Sequence, residues 1–371
     1  MRKFLTPAAL AGAMALAAGL ADAGTIRATS AFGPAHPAAV YVYPEIDARL
    51  REFTDGDWSL RDTPAGLVAP NEMSTGLRDG VTEFGMLLMP YFPAQFPEAA
   101  LPSELSTLGT GNLVISSAVT EYIATCAECQ AEFARNGQVY LGSDATPPYN
   151  LLTVKPVRSA EDLKGLRIRT GAPLYARFVA TMGGEATQIP SSELFESLSQ
   201  GVIDGTFSGN HEIIANRLGD IVKYVTEIEE GVFNGSASGT ASALLWNRMN
   251  AEERAALARA TQYGIAKGLV GFNTDAEKAR TVPGIEFIAM DPTLAAAKDA
   301  YNAEHMAQAA AILTGRGVTD AEAKIARYAA LVEKWQGLVT PGMSYEDLAQ
   351  LRYDEIFARL DMAAYGPAAT Q

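Results

Sequence analysis

Strand-length apolar runs alternate with helix-length amphipathic runs in two separate stretches of this chain, and that order admits few folds. Residues 25–31 read as a strand, the breaker cluster Gly33-Pro34-Ala35-His36-Pro37 opens a helix through residue 53, and residues 58–63 alternate as a second strand. A short helix at 71–79 ends on Gly80, and residues 82–88 form a third, mostly apolar strand. This β-α-β-α-β order predicts an α/β unit with a largely parallel sheet, in which ligands gather at the carboxyl ends of the strands. The proline-punctuated aromatic loop from Met89 to Pro97 lies at such an end.

A second α/β unit starts near Tyr149, with strands at 151–155 and 166–170 and a helix at 173–182. Ser191 or Ser192 caps a further helix with Leu194, Phe195 and Leu198 on its apolar face, closing at Gly201. The chain returns through a strand at 241–246. Asn250 and Glu253 then have the spacing of a capping box, opening a long amphipathic helix through residue 272. Helices at 294–313, 320–336 and 344–360 complete the chain. The expected division gives 24–147 and 235–274 to a first lobe, and 148–234 and 275–371 to a second.

The N-terminus carries an address. Met1-Arg2-Lys3, an Ala- and Leu-rich stretch and Ala21-Asp22-Ala23 have the layout of a secretory signal peptide cleaved after Ala23, and the apolar run is short for a bilayer span. The reading is therefore periplasmic. With 29 Lys+Arg against 43 Asp+Glu, the net charge of −14 argues against nucleic acid or an anionic membrane as partner. An anionic ligand stays open, because one buried cation outweighs distant, screened charge.

Chemistry-bearing motifs are sparse. The three histidines, His36, His211 and His305, are far apart, and His211-Glu212 lacks the second histidine of a metalloprotease helix. No nucleophile elbow, phosphate loop or dinucleotide fingerprint occurs, and no catalytic residue, cofactor or metal site is assigned. The two cysteines, Cys126 and Cys129, have flanks that read as mid-helix rather than as a redox motif; export leaves a local disulfide or two thiols open.

The segment 159–209 resembles the solute receptors of tripartite (TRAP) transporters. The resemblance is carried by Asp162-Leu163-Lys164-Gly165-Leu166-Arg167-Ile168-Arg169, Pro173-Leu174-Tyr175, Gly183-Gly184, Ser192-Glu193 and Gly201-Val202-Ile203-Asp204-Gly205. Leu77-Arg78-Asp79-Gly80, Phe96-Pro97-Glu98-Ala99-Ala100 and Trp246-Asn247-Arg248 add weaker matches. The resemblance implies a two-lobed periplasmic binding fold with a long bridging helix and a helical C-terminus. It also implies a small organic acid as ligand, delivery to one small and one large integral-membrane subunit, and no enzymatic activity.

It further assigns the ligand carboxylate to the second arginine of the Leu166–Arg169 segment. Guanidinium chemistry suits that role, since two parallel N–H donors match a carboxylate. Strand alternation puts Arg167 and Arg169 on opposite faces, so one of them enters the cleft, and the resemblance selects Arg169. Sialic acid receptors of this group place an arginine where Tyr149 stands, and Phe207 and Ser208 replace a glutamate and an asparagine. These departures point to a less charged pocket, in which Phe207, Tyr149, Met89 and Phe32 would surround an apolar body. Ser208 and Asn210 are candidate polar contacts, whereas Asn234-Gly235 fits a turn as well as a ligand contact. First-lobe contacts are expected from 32–36 and 88–91.

Overall fold

Some strands, such as Phe84–Leu88, are apolar runs, while others, such as Ser236–Ser242, consist of small and hydroxyl-bearing residues, in a computed structural model that describes residues 24–109 and 111–367. In chain order they are β1 (Gly24–Thr29), β2 (Trp58–Asp62), β3 (Phe84–Leu88), β4 (Gln138–Gly142), β5 (Tyr149–Thr153) and β6 (Arg167–Thr170). They continue as β7 (Glu185–Gln188), β8 (Gly205–Gly209), β9 (Tyr224–Glu227), β10 (Ser236–Ser242) and β11 (Glu286–Ala289). The signal peptide expected over 1–23 lies outside the described residues.

Two sheets result, one in the order β2-β1-β3-β10-β4 and the other β11-β9-β5-β8-β6-β7. Each is mixed. In the first, β10 runs antiparallel to β3 and β4, and in the second β5 runs antiparallel to β8 and β9. Both are strands by which the chain enters a sheet after leaving the other one, so the reversal of direction marks the crossing between lobes.

The two crossings lie side by side and bond to each other. Thr146 donates its N–H to Phe233 O at 2.9 Å, Tyr149 to Gly231 O at 2.9 Å, and Glu230 to Tyr149 O at 3.0 Å. Gly231 sits at φ 61°, and a Cβ there would fall 2.1 Å from the carbonyl oxygen of Ser106. Glycine is thus required where the ribbon turns.

The third connection is the helix Ala251–Ala279, whose 29 residues extend for about 44 Å. It begins on the capping box legible in the sequence. Asn250 Oδ1 accepts from the N–H groups of Glu252 (2.9 Å) and Glu253 (3.0 Å), and Asn250 N–H donates to Glu253 Oε2 at 2.7 Å. Its middle turns, from Arg259 to Lys267, pack on the helix Tyr43–Phe53, while Ala279 reaches the apolar cluster of the second lobe with Leu194, Val222 and Val225. The two-lobed α/β fold with its bridging helix is the observed architecture.

Local details differ from the expectation in four places. The predicted strand 241–246 is the end of β10 followed by a helical turn, Ala243–Trp246, because the Ser242 hydroxyl accepts from Leu244 N–H (3.1 Å) and starts the turn. Cys126 does not lie within a helix. It caps the helix Ala127–Arg135, its sulfur accepting from Cys129 N–H, and the two cysteines form a disulfide. Phe195 is exposed, so Leu194 and Leu198 alone carry that helix's inner face.

The fourth difference concerns the C-terminal helices Pro292–Gly315, Ala321–Leu338 and Tyr345–Glu355. The division that gave all of 275–371 to the second lobe does not match their packing. The last two lie on the first lobe, because their buried polar groups find partners there. Arg352 is wholly buried, donating to Ser116 Oγ (2.5 Å), Thr120 Oγ1 (2.8 Å), Ser143 O (3.2 Å) and Gln262 Oε1 (3.2 Å). Trp335 Nε1 donates to Glu121 Oε2 at 2.7 Å.

Candidate functional site

Strand alternation sorts the two arginines of β6. Arg167 faces outward and meets Asp204 with two parallel bonds, Nε–Oδ2 at 2.9 Å and Nη2–Oδ1 at 3.0 Å. That pairing holds the Asp204 carboxyl below its ordinary value. Arg169 points the other way, into the space between the lobes, and is 2% exposed. Its Nε donates to Ile189 O at 2.8 Å and its Nη2 to the Tyr91 hydroxyl at 3.3 Å, so one bond already spans the cleft. Among the described residues, no carboxylate lies within 4.0 Å of this guanidinium. A buried cation without a counter-ion is costly, and the cost is offset when an anion arrives.

Around Arg169 the lobes enclose a cavity of about 40 Å³, measured as the space open to the centre of a water molecule. Since one water needs about 10–15 Å³ on that measure, the closed cleft has room for roughly three. The second lobe contributes Tyr149, Arg169, Gly171, Ser191, His211 and Glu212 to the wall. The first contributes Phe32, His36, Met86, Leu88 and Tyr91, the crossing ribbon Asp144, Thr146 and Phe233, β10 Ser236, and the bridging helix Phe272.

The lining is aromatic. Tyr149 lies parallel to Phe233, with ring centres 5.9 Å apart and planes within 8°, and Phe32 stacks on His36 at 4.3 Å. Phe272 stands edge-on to both His36 (5.7 Å) and His211 (4.9 Å). Such surfaces favour a flat, apolar body.

Burial also governs the charges. It depresses the pKa of His36 and of His211 to about 3, which keeps both imidazoles neutral at physiological pH. Burial pushes the Glu212 carboxyl up to about 7 against the opposing field of Arg169, and raises Asp144 against the hydrogen bond from Ser236. Arg169 is the one Lys or Arg side chain on this wall.

Of the residues singled out in the sequence, Arg169, Tyr149 and Phe32 stand on the cavity wall. Met89, Phe207, Ser208 and Asn210 do not. Phe207 turns into the second-lobe core, 5.3 Å from Phe178 and 5.5 Å from Tyr175. Ser208 is buried just behind the wall, beside Tyr149 and Glu212, Met89 is buried too, and Asn210 Oδ1 accepts from Asn150 Nδ2 at 3.1 Å. Asn234 is buried too, donating to Pro102 O at 3.1 Å and accepting from the Ser106 hydroxyl at 3.2 Å. Sequence reasoning missed Glu212, His211, Asp144 and Phe272. The His211-Glu212 pair, weighed in the sequence only as the start of a metalloprotease helix, follows β8 after a single residue, Asn210.

A model of the bacterial extracellular solute-binding proteins, family 7 (DctP), matches residues 33–282. The chain belongs to that family. Family 7 is a family of solute receptors, and the described helices include none long and apolar enough to cross a membrane. A solute-binding protein of Chromohalobacter salexigens is 40% identical over 67 residues, which are 18% of this chain and 19% of that protein. The chain thus aligns with about a fifth of that curated relative's length. A TRAP periplasmic solute-binding protein from Bordetella bronchiseptica, with bound (R)- and (S)-mandelate, superposes with a TM-score of 0.72 at 22% identity, covering 84% of this chain and 99% of that one. A TRAP solute-binding protein from Rhodoferax ferrireducens, in complex with benzoate, gives 0.75 at 17% identity, over 85% and 99%. The fold of these two proteins therefore extends over most of this chain.

Proposed function

We propose that this family 7 protein captures a small carboxylic acid with a flat, apolar body in the cleft between its lobes. It then presents that acid to the small and large membrane subunits of a TRAP transporter. The observation that carries this reading is Arg169, buried, free of any carboxylate within ion-pair distance among the described residues, and facing aromatic walls. In the charged, water-poor cleft a ligand carboxylate supplies the missing counter-ion. Tyr149, Phe32 and Phe233 hold the body of the ligand, while Met89, Phe207, Ser208 and Asn210 support the wall from behind. Relatives of the same fold carry mandelate or benzoate, ligands of this chemical kind. The protein works in the periplasm after removal of residues 1–23, and its role is binding rather than catalysis.

A thermal-shift screen against aromatic, 2-hydroxy, 2-keto and dicarboxylic acids tests the reading. An acid at a hundred times its dissociation constant adds about 2.7 kcal/mol, a shift easily resolved. Arg169→Ala is expected to melt near the wild-type temperature and to lose affinity about a hundredfold or more, as two charge-assisted bonds disappear. Undiminished affinity in the folded variant would remove Arg169 from the site.

A further inference from the structure

We propose that Asp144 reads a hydrogen-bond donor on the ligand, so that the pocket selects monocarboxylic acids bearing an O–H or N–H group remote from the carboxylate. This rests on the carboxylate reading above and narrows its substrate class. Asp144 follows β4, lines the same cavity as Arg169, and is 2% exposed. One of its oxygens is committed, since Oδ1 accepts from the Ser236 hydroxyl. The other, Oδ2, has no hydrogen-bond partner among the described residues. A buried acceptor left without a donor is costly, and a ligand hydroxyl or N–H at this place removes the cost.

Burial raises the Asp144 carboxyl, while the Ser236 and Ser238 hydroxyls and the wholly buried Arg352 behind it oppose that rise and favour the ionised, accepting form. An acidic acceptor also repels a second ligand carboxylate, so the same residue that favours donor-bearing acids disfavours dicarboxylates. Placement gives the contact a further role. Arg169 belongs to the second sheet and Asp144 to the end of a first-sheet strand, so a ligand holding both ties the lobes together. Contacts with both lobes are what let a ligand favour the closed state.

The test is calorimetry on the purified protein with matched probes: benzoate, 3- and 4-hydroxybenzoate, 3- and 4-aminobenzoate, 3- and 4-methoxybenzoate, and isophthalate. The best hydroxy- or aminobenzoate is expected to bind at least about tenfold tighter than benzoate, with the methoxy acids and isophthalate weaker than it. Asp144→Ala should bring the donor-to-benzoate affinity ratio to about one. Asp144→Asn, an isosteric change that keeps the fold safer, places an amide there and should shift preference towards the methoxy acids. A wild-type ratio near one, or a ratio unchanged in both variants, overturns the assignment of Asp144 while leaving the receptor reading in place. Failure of every acid to bind the wild type overturns both.

Discussion

Glu212 shows what burial does to a single side chain. It stands 5% exposed on the cavity wall, in the field of Arg169 yet beyond ion-pair distance, and burial sets its pKa at about 7. Because that value is raised above the ordinary 4.5, the protonated form stabilises the folded protein. The contribution is complete below pH 4.5 and is lost as pH rises through about 7. Binding follows the same sign. An ionised Glu212 competes for Arg169 and repels the ligand carboxylate, so affinity for an acid that stays ionised should fall by up to about tenfold per pH unit above pH 7. Titrations of benzoate between pH 6 and 9 measure this, and Glu212→Gln should flatten the profile. A slope that survives in Glu212→Gln would assign the effect to another group.

At the scale of elements, buried polar contacts decide which lobe a helix joins. The helix Tyr345–Glu355 is short and weakly apolar on any face, yet Arg352 fixes it to the helix Asn112–Ala124 through Ser116 and Thr120. Arg352→Ala should cost about 2–5 kcal/mol, since it leaves a buried cavity and takes the donor away from Gln262 Oε1, and urea unfolding would register the loss. The disulfide Cys126–Cys129 predicts a smaller effect. It closes a loop with a separation of only three residues, and chain entropy assigns such a loop about 2 kcal/mol. The double change to serine keeps an oxygen at the cap position, so it should lower stability by about that amount and leave acid binding unaltered. A loss of binding on reduction would instead tie the pair to the cleft. The capping box at Asn250 and the strand alternation of Arg167 and Arg169 were both legible in the sequence, because each depends on residues within a few positions. The fate of Phe207 was not, because which face of β8 meets the cavity depends on how β8 sits between β5 and β6.

For the whole molecule, the lining of the cavity comes from both lobes and is largely buried, so an acid can enter only when the lobes part. Two chain crossings bonded into a ribbon, together with the bridging helix, confine that motion to a hinge. Solution X-ray scattering should therefore give a smaller radius of gyration with saturating ligand than without it. Equal radii would mean that the cleft stays shut and that ligands enter through side-chain motion alone. The sequence by itself determined the alternating elements and the acidic charge balance, which arise from local periodicity and composition; alternation allowed one inward arginine of the two in the 162–205 motif, and the family resemblance selected Arg169. Only the tertiary structure decided that His211, Glu212, Asp144 and Phe272 surround that arginine. Those residues come from segments far apart in the chain: the pairing of β6 with β8 sets His211 and Glu212 beside the arginine, and the meeting of the lobes adds Asp144 and Phe272, neither of which a local pattern encodes.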